Sequence, residues 1–167
     1  MFEIRELKAE DVPRIVATNG GVAWNGGFKK WNQRLAEHED GRRIAWLAES
    51  DTELVGYGSI LWASPYGPFR QQEIPEIQDL VVAEAWRKQG IATALIGTAE
   101  ERARRQGCKR IGMGVGLYGD YGSAQRLYVR LGYSPDGLGI TCKYLPATPG
   151  GQFKLDDDLL LWLTKAL

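Results

Sequence analysis

Residues 80–92, with the sequence LVVAEAWRKQGIA, decide the fold that we expect for this chain. They open on an apolar run that ends a predicted buried strand over residues 76–82. They close on Gly90-Ile91-Ala92, where apolar residues start to recur at helical spacing and predict a helix that continues to residue 106. Gly107 then stands where a helix stop belongs. A strand, a short loop and a helix therefore form the centre of the predicted fold.

Strands and helices alternate on both sides of this centre. The expected strands cover residues 2–7, 44–49, 54–63, 76–82, 111–117, 139–145 and 159–165, and the expected helices begin near residues 10, 28, 90 and 124. This order predicts an α/β (α+β) chain with a mixed, mainly antiparallel twisted sheet of about seven strands and about four helices on its two faces. A length of 167 residues with 44% apolar content predicts a single domain over residues 1–167.

Composition excludes several classes of partner and site. Lys and Arg together number 21 and Asp and Glu number 21, so no overall charge attracts nucleic acid or an anionic membrane. No segment approaches the roughly 20 apolar residues of a membrane span, and the N-terminus lacks the pattern of a signal peptide, so we expect a cytoplasmic protein. Two cysteines, expected to be reduced, and one histidine at wide spacing predict no metal site.

The loop before the predicted helix has the features of an anion site. The first N–H groups of a helix lack partners, and the peptide dipoles add positive potential there, so phosphate is a natural ligand. Gly90 and Ala92 keep side chains small, and Arg87 and Lys88 add two positive charges. An ordinary turn with solvated basic residues explains the same local pattern equally well, because short Gly/basic motifs are weak signals.

Two motifs in order carry a resemblance to a known family. The loop, residues 87–92, resembles motif A of the GNAT superfamily of acyl-CoA N-acyltransferases, whose core is Gln/Arg-x-x-Gly-x-Gly/Ala. Residues 124–133, AQRLYVRLGY, resemble its motif B, usually Ala-x-x-Leu-Tyr-x-x-x-Gly-Phe/Tyr. The resemblance covers the order of elements along nearly the whole chain. One position departs from it, since Tyr121 stands where many members have Asn before motif B, and this puts a side-chain contact to the pantetheine arm in doubt.

The resemblance implies acetyl-CoA as co-substrate, held in a sheet that is splayed between its fourth and fifth strands. The pantetheine arm would pair with the fourth-strand backbone, where an N–H near Val81 or Val82 would stabilise the oxyanion. The implied donor-binding residues are Leu80, Val81, Val82, Arg87, Lys88, Gln89, Gly90, Ile91, Ala92 and Ala124. Gly112, Gly114 and Gly116 on the fifth strand suit close approach by a ligand or close internal packing, and both interpretations stay open.

The resemblance also implies catalytic residues. Tyr128 matches the family tyrosine near the thioester sulfur, which is proposed to protonate the leaving thiolate, and a core tyrosine is the competing interpretation. Glu76 matches the glutamate that acts as general base in the histone acetyltransferase branch, and Asp79 is the competitor. In a regular strand these two carboxylates would face opposite sides, unless a bulge broke the alternation.

The implied reaction is transfer of an acetyl group from acetyl-CoA to a primary amine by direct attack in a ternary complex. The acceptor would be a small molecule or a peptide, and a homodimer stays open. Candidate acceptor-side aromatic residues are Trp24, Phe28 and Trp31, with weaker cases for Trp62, Tyr66 and Phe69. The acidic run at residues 156–158 would attract a cationic amine or simply form a solvated turn. The alternatives are a catalytically idle acyl-CoA-binding or sensing module and an unrelated phosphate-binding or structural domain.

Overall fold

The computed structural model describes residues 1–17, 26–51 and 53–167. The described strands are β1 Glu3–Glu6, β2 Arg43–Ser50, β3 Glu53–Leu61, β4 Glu76–Val82, β5 Arg110–Gly116, β6 Ser134–Cys142, β7 Leu145–Pro146 and β8 Leu159–Ala166. The described helices are α1 Asp11–Ala17, α2 Gly27–Glu39, α3 Gly67–Gln71, α4 Ile91–Arg105 and α5 Gly122–Arg130, with short 3₁₀ turns at Glu84–Trp86 and Gly119–Tyr121. Within these ranges, no helix has the length and apolar character that crossing a membrane requires.

The strands follow the order β1-β2-β3-β4-β5-β8-β6-β7. Antiparallel pairing joins β1 to β2, β2 to β3, β5 to β8, β8 to β6 and β6 to β7. The pair β4–β5 is parallel and is joined at Glu76 opposite Gly112. The predicted mixed, mainly antiparallel sheet is therefore confirmed, with one strand and one helix more than expected among the described residues.

The chain divides into two compact units. The first, called here the N-terminal unit, comprises Met1–Leu61 and Ile77–Glu101, and the second, the C-terminal unit, comprises Trp62–Glu76 and Arg102–Leu167. The boundaries cut β4 after its first residue and α4 near its end. The single domain expected over residues 1–167 stays a prediction.

The core of the N-terminal unit lies between α1, α2 and the first strands. Leu47 on β2 and Ile15 on α1 are fully buried, and Trp31 of α2 packs edge-on against Tyr57 of β3 with ring centroids 4.9 Å apart. Every residue of β2 is buried. Ser50 pairs with Glu53, so the β2–β3 connection has two residues and not the four that the sequence suggested.

The core of the C-terminal unit is an aromatic cluster. Tyr66 stacks on Trp162 with ring centroids 4.1 Å apart and an interplanar angle of 4°, and Phe69 meets Trp162 edge-on. Tyr66 and Phe69 are therefore core residues and do not form an acceptor surface. Pro65, Gly67 and Pro68 predict a loop from the sequence. The structure instead starts α3 at Gly67, with a proline in its first turn, a position that proline tolerates well.

Gly107 and Gly132 follow the helical apolar spacing of residues 91–103 and 124–131 and predict two helix stops, which the hydrogen bonds confirm. After α4, Gly107 has φ +78°, and the Cys108 N–H donates to the Ala103 carbonyl over 3.0 Å. After α5, Gly132 has φ +91°, and the Tyr133 N–H donates to the Tyr128 carbonyl over 3.0 Å. Both ends have the Schellman pattern, which needs a left-handed residue at the glycine position. Asn19-Gly20-Gly21 also predicts a helix stop from the sequence, and these residues lie outside the described ranges.

Candidate active site

The loop of residues 87–92 has the geometry of an anion site. Helix α4 starts at Ile91, and the Ala94 N–H donates to the Gly90 carbonyl over 2.9 Å, so Gly90 is the residue that opens the helix. The N–H groups of the first turn have no partner within the helix. Arg87, Lys88 and Gln89 are exposed on the same loop. These groups together suit a diphosphate, because backbone donors, the helix dipole and two cations act at one place.

Backbone conformation explains the glycine of this loop. Gly90 has φ +86° and Lys88 has φ +63°. A Cβ added to Gly90 would meet no atom within 4 Å, so the position requires glycine for its left-handed conformation and not for lack of space inside the protein. Left-handed residues in a turn direct successive N–H groups to one side, as in other anion-binding backbone turns.

Two glycines on β3 bring β4 and α4 close to it. A Cβ on Gly56 would lie 3.0 Å from the Val81 carbonyl oxygen and 3.1 Å from the side chain of Ile91. A Cβ on Gly58 would lie 3.2 Å from the side chain of Leu80. Two glycines on one face of a strand are a sequence signal for close approach, although neither was among the predicted site residues. They permit the close approach of residues 80 and 81 and of the start of α4 to β3.

Strand β4 departs from regular extended geometry at Asp79, and this irregularity at residues 78 and 79 is called here the bulge. Asp79 has φ +53°, a left-handed conformation that is rare for a residue other than glycine and that interrupts the alternation of side chains. The Gln78 carbonyl accepts a hydrogen bond from the Ser59 hydroxyl at 3.2 Å. The alternation of a regular strand, on which opposite faces were expected for Glu76 and Asp79, therefore does not hold at Asp79.

Three cations surround the Asp79 carboxylate. Arg34 Nε lies 2.7 Å from it, Lys30 Nζ lies 3.3 Å from it, and Arg43 lies 3.5 Å from it. Burial acts to raise the pKa of Asp79, but the positive charges of Arg34, Lys30 and Arg43 outweigh it and the net shift is downward. Asp79 therefore stays ionised, and its low pKa makes it a weak proton acceptor.

Arg43 was not identified from the sequence, because the strand was expected to begin one residue later. Its side chain is only 2% exposed, and it reaches four partners. Nε lies 2.7 Å from Glu37, the two terminal nitrogens donate to Ser59 at 2.5 Å and Gln78 at 2.8 Å, and one of them faces Asp79. Burial, and then the charge of Arg34, lower the pKa of Arg43.

Glu76 opens β4 in the C-terminal unit. It is 4% exposed, and its carboxylate accepts a hydrogen bond from the Ser64 hydroxyl at 2.5 Å. The Ser64 oxygen itself accepts the Tyr66 N–H at 3.0 Å. The carboxylate of Glu76 is thus held in place by a side chain that is oriented by the backbone.

Tyr128 lies on α5, also in the C-terminal unit, one turn after Ala124. It is 8% exposed, and its ring centroid lies 6.4 Å from that of Tyr133. Burial raises the pKa of the Tyr128 phenol to about 12. The hydroxyl therefore keeps its proton throughout the physiological pH range.

Tyr121, the position where the family often has Asn, has an internal role. Its hydroxyl donates to Asp157 over 2.9 Å, and Tyr118 donates to the same carboxylate. Its ring occupies the space beside Gly116, where a Cβ would lie 2.4 Å away. A Cβ on Gly112 would likewise lie 2.3 Å from the ring of Phe69. Internal packing thus explains these two glycines, and Asp157 orders two tyrosines where a solvated turn was one expectation.

The candidate acceptor-side aromatic residues fall into different environments. Trp31 is 2% exposed and belongs to the core, whereas Phe28 is 54% exposed. Trp62 is half-buried, and Trp24 lies outside the described residues. In the N-terminal unit, a small cavity is lined by Trp31, Arg34, Ala45, Trp46, Tyr57, Gly58, Ser59 and Asp79.

The two units carry different parts of the predicted site. The loop of residues 87–92, the strand backbone of residues 80–82 and Asp79 belong to the N-terminal unit, whereas Glu76, Ala124 and Tyr128 belong to the C-terminal unit. Both cysteines are free thiols. In the part of the chain that the structure describes, no group of three His, Cys, Asp or Glu side chains could hold a metal ion.

Comparison with known structures shows the same fold over the full chain. A ribosomal-protein-alanine N-acetyltransferase from Brucella melitensis superposes with a TM-score of 0.73 at 21% identity, over 99% of each chain. An N-acetyltransferase from Staphylococcus aureus Mu50 gives 0.74 at 17% identity, over 99% of this chain and 98% of that one. A spermidine N-acetyltransferase chimera from Vibrio cholerae and hSSAT gives 0.69 at 16% identity, over 99% and 95%.

Sequence comparison identifies the family. No match was found among curated protein sequences. The model of the acetyltransferase (GNAT) family, however, matches residues 7–133, which include the strand β4, the loop of residues 87–92 and helix α5. The chain therefore belongs to the acetyltransferase (GNAT) family and is an acyl-CoA-dependent N-acyltransferase.

Proposed function

We propose that this protein transfers an acetyl group from acetyl-CoA to a primary amine, by direct attack of the amine in a ternary complex. The observation that carries the proposal is the loop of residues 87–92, in which a left-handed Gly90 opens helix α4 beside exposed Arg87 and Lys88. This loop would hold the diphosphate of the donor. The backbone of Leu80, Val81 and Val82, which ends five residues earlier, would pair with the pantetheine arm.

Deprotonation of the amine is the first chemical requirement. A lysine-like ammonium has a pKa of about 10.4, so a base must take its proton before the nitrogen can attack. We assign this role to Glu76, because its carboxylate is buried and is oriented by Ser64. Asp79 is less suited, since three cations already engage its carboxylate and its pKa is lowered.

Stabilisation of the leaving sulfur is the second requirement, and we assign it to Tyr128. As the nitrogen–carbon bond forms and the carbon–sulfur bond breaks, negative charge collects on sulfur. Full proton transfer from a phenol of pKa about 12 to a thiolate whose thiol has a pKa near 8.5 costs about 5 kcal/mol. Tyr128 would therefore act first by donating a hydrogen bond to the sulfur, and the proton would follow as CoA leaves as a thiol.

The acceptor is proposed only as a primary amine on a small molecule or a peptide. Two of the structural neighbours act on a ribosomal-protein alanine and on spermidine, which are an α-amino group and a polyamine. Because structures at these identities share only the fold, neither acceptor is assigned to this chain. Both classes belong in the test.

The test is an acceptor panel in which free CoA and the acetylated product are followed together. The panel contains peptides with free α-amino groups, peptides with lysine, polyamines, amino acids and aminoglycosides. The proposal predicts CoA release that depends on one acceptor class, with product formed in equal amount, and intersecting double-reciprocal plots for the two substrates. Parallel plots would contradict direct transfer. Acetyl-CoA binding without turnover on any acceptor class would favour the idle binding module.

A further inference from the structure

The bulge in β4 is held by side chains of the same unit. Asp79 has a left-handed conformation, with φ +53°, which costs free energy in a residue other than glycine. Such a conformation persists only when the surrounding structure enforces it. The Gln78 carbonyl is satisfied by the Ser59 hydroxyl, a side chain of the neighbouring strand. The conformation of residues 78 and 79 therefore depends on specific side chains and not on the sheet ladder alone.

Arg43 binds both residues of the bulge. One terminal nitrogen donates to the Gln78 side-chain oxygen at 2.8 Å, and the other lies 3.5 Å from the Asp79 carboxylate. The same guanidinium donates to Ser59 and pairs with Glu37. A rigid fork with several donors can satisfy this set of acceptors at once, which the single ammonium of a lysine could not do.

Helix α2 also contacts the bulge, through two cationic side chains that pair with Asp79. Arg34 lies 2.7 Å from one Asp79 oxygen, and Lys30 lies 3.3 Å from the other. Glu37, on the next turn, accepts hydrogen bonds from Arg34 and Arg43 and connects the two arginines. Positive charge thus reaches Asp79 from β2 and from α2, and both carboxylate oxygens are engaged.

We propose that Arg43 and Asp79 are positioning residues that hold the β4 bulge and thereby aim the backbone N–H and C=O groups of Leu80, Val81 and Val82. A bulge changes the direction of the residues that follow it, and these residues follow it directly. This inference rests on the proposed function, in which residues 80–82 pair with the pantetheine arm. The lowered pKa of Asp79 suits a permanent ion-pair partner better than a general base.

The experiment compares two ligands that share the diphosphate. CoA carries the pantetheine arm, whereas adenosine 3′-phosphate 5′-diphosphate lacks it. Affinities for both are measured by calorimetry with wild type, Arg43→Met, Arg43→Lys and Asp79→Gly, and thermal melts establish that each variant is folded. Arg42→Met is the matched control, because Arg42 is the adjacent arginine, is 65% exposed and pairs with Asp40 at the surface.

For the folded variants at residues 43 and 79, we expect CoA to bind about tenfold more weakly, as when one or two backbone hydrogen bonds are lost. Binding of the arm-less ligand should not change. Asp79→Asn, which tolerates the left-handed conformation and keeps an acceptor oxygen, should recover most of the affinity for CoA.

Two results would overturn the positioning role. One is wild-type affinity for CoA in folded Asp79→Gly and Arg43→Lys, and the other is an equal loss for both ligands. Failure of the wild type to bind CoA would instead overturn the proposed function itself. Arg43→Lys and Asp79→Gly keep the test decisive if Arg43→Met does not fold.

Discussion

The ring of Tyr121 fills the space beside Gly116, 2.4 Å from where a Cβ on that glycine would stand. The Tyr121 hydroxyl is fixed at the same time by Asp157. The hydrogen bond to Asp157 therefore opposes the movement of the ring that a larger residue at position 116 would require. Close approach at this end of β5 is made by the protein's own side chain.

Gly116→Ala should consequently destabilise the fold by about 1–3 kcal/mol, the usual cost of overpacking a well-packed site. Urea unfolding measures the change. Gly119→Ala is the control, since a Cβ there meets no atom within 4 Å. In a Tyr121→Ala background, Gly116→Ala should cost much less stability than it does in wild type. If the losses of the two single variants simply add in the double variant, the packing explanation is contradicted.

The elements around the donor loop could be predicted closely from the sequence. Strand β4 has the predicted bounds of residues 76–82, and α4 differs from its prediction by one residue at each end. These elements have strong local signals, namely an apolar run, helical periodicity and a glycine at each end of the helix. The two motifs also identified the family, because their order and spacing depend on no tertiary contact.

The contacts that build the rest of the site could not be predicted in this way. Arg43 stands at the edge of an apolar strand, and its four partners come from three other elements. The left-handed conformation of Asp79 has no local signal, because it depends on cations supplied by α2 and β2. The short helix α3 was missed because Gly67 and Pro68 suggest a loop, while its burial against Trp162 stabilises the helix.

Gly90, which precedes α4, and Gly97, inside α4, should respond in opposite ways to substitution by alanine. Gly90→Ala should destabilise the protein by about 1–2 kcal/mol, because Gly90 has φ +86° and alanine resists the left-handed conformation. Gly97→Ala should stabilise it by about 0.5–1 kcal/mol, because Gly97 lies inside α4 with open space around it. Thermal or urea unfolding measures both. Unchanged or increased stability in Gly90→Ala would contradict the left-handed assignment of the loop, and a loss in Gly97→Ala would contradict the open space around that helical position.

Tyr128→Phe should lower kcat by about 100-fold and leave the KM for acetyl-CoA nearly unchanged, because only the leaving sulfur loses a hydrogen-bond donor. Steady-state kinetics on the acceptor found in the panel measures this, and Tyr144→Phe serves as a control on an exposed tyrosine. In wild type the phenol has a pKa of about 12, so its protonated, active form persists to high pH. If ionisation of Tyr128 halved the activity by pH 10, the result would contradict the assigned role of its protonated phenol.

Lowering the pH should reduce the free energy of unfolding, partly through Asp11. This residue is fully buried and accepts two hydrogen bonds from Arg5 at 2.7 Å. Burial acts to raise the pKa of Asp11, but the Arg5 guanidinium and the Lys8 N–H outweigh it and lower the pKa. The folded pKa thus lies below the unfolded value of about 3.9, so this stabilisation is present above that pH and is lost as the pH falls through the folded pKa.

Asp11→Asn should therefore cost about 2 kcal/mol at pH 7 and progressively less below pH 4, where the wild-type carboxylate becomes protonated. Urea unfolding at several pH values measures the difference. Asp51→Asn provides a control on an exposed aspartate. A penalty that stayed constant from pH 7 to pH 2.5 would show that packing, and not charge, explains the effect.

Binding of an acyl-CoA diphosphate by the loop of residues 87–92 is central to the proposed function, and calorimetric titration with acetyl-CoA tests it most directly. Wild type should bind one molecule per chain, and the double variant Arg87→Glu, Lys88→Glu should bind about 100-fold more weakly, because two charge-assisted contacts become repulsive. Lys109→Glu, an exposed change outside residues 87–92, should bind as wild type does. Absence of binding by the wild type, or equal affinity in the double variant, would contradict donor binding at this loop.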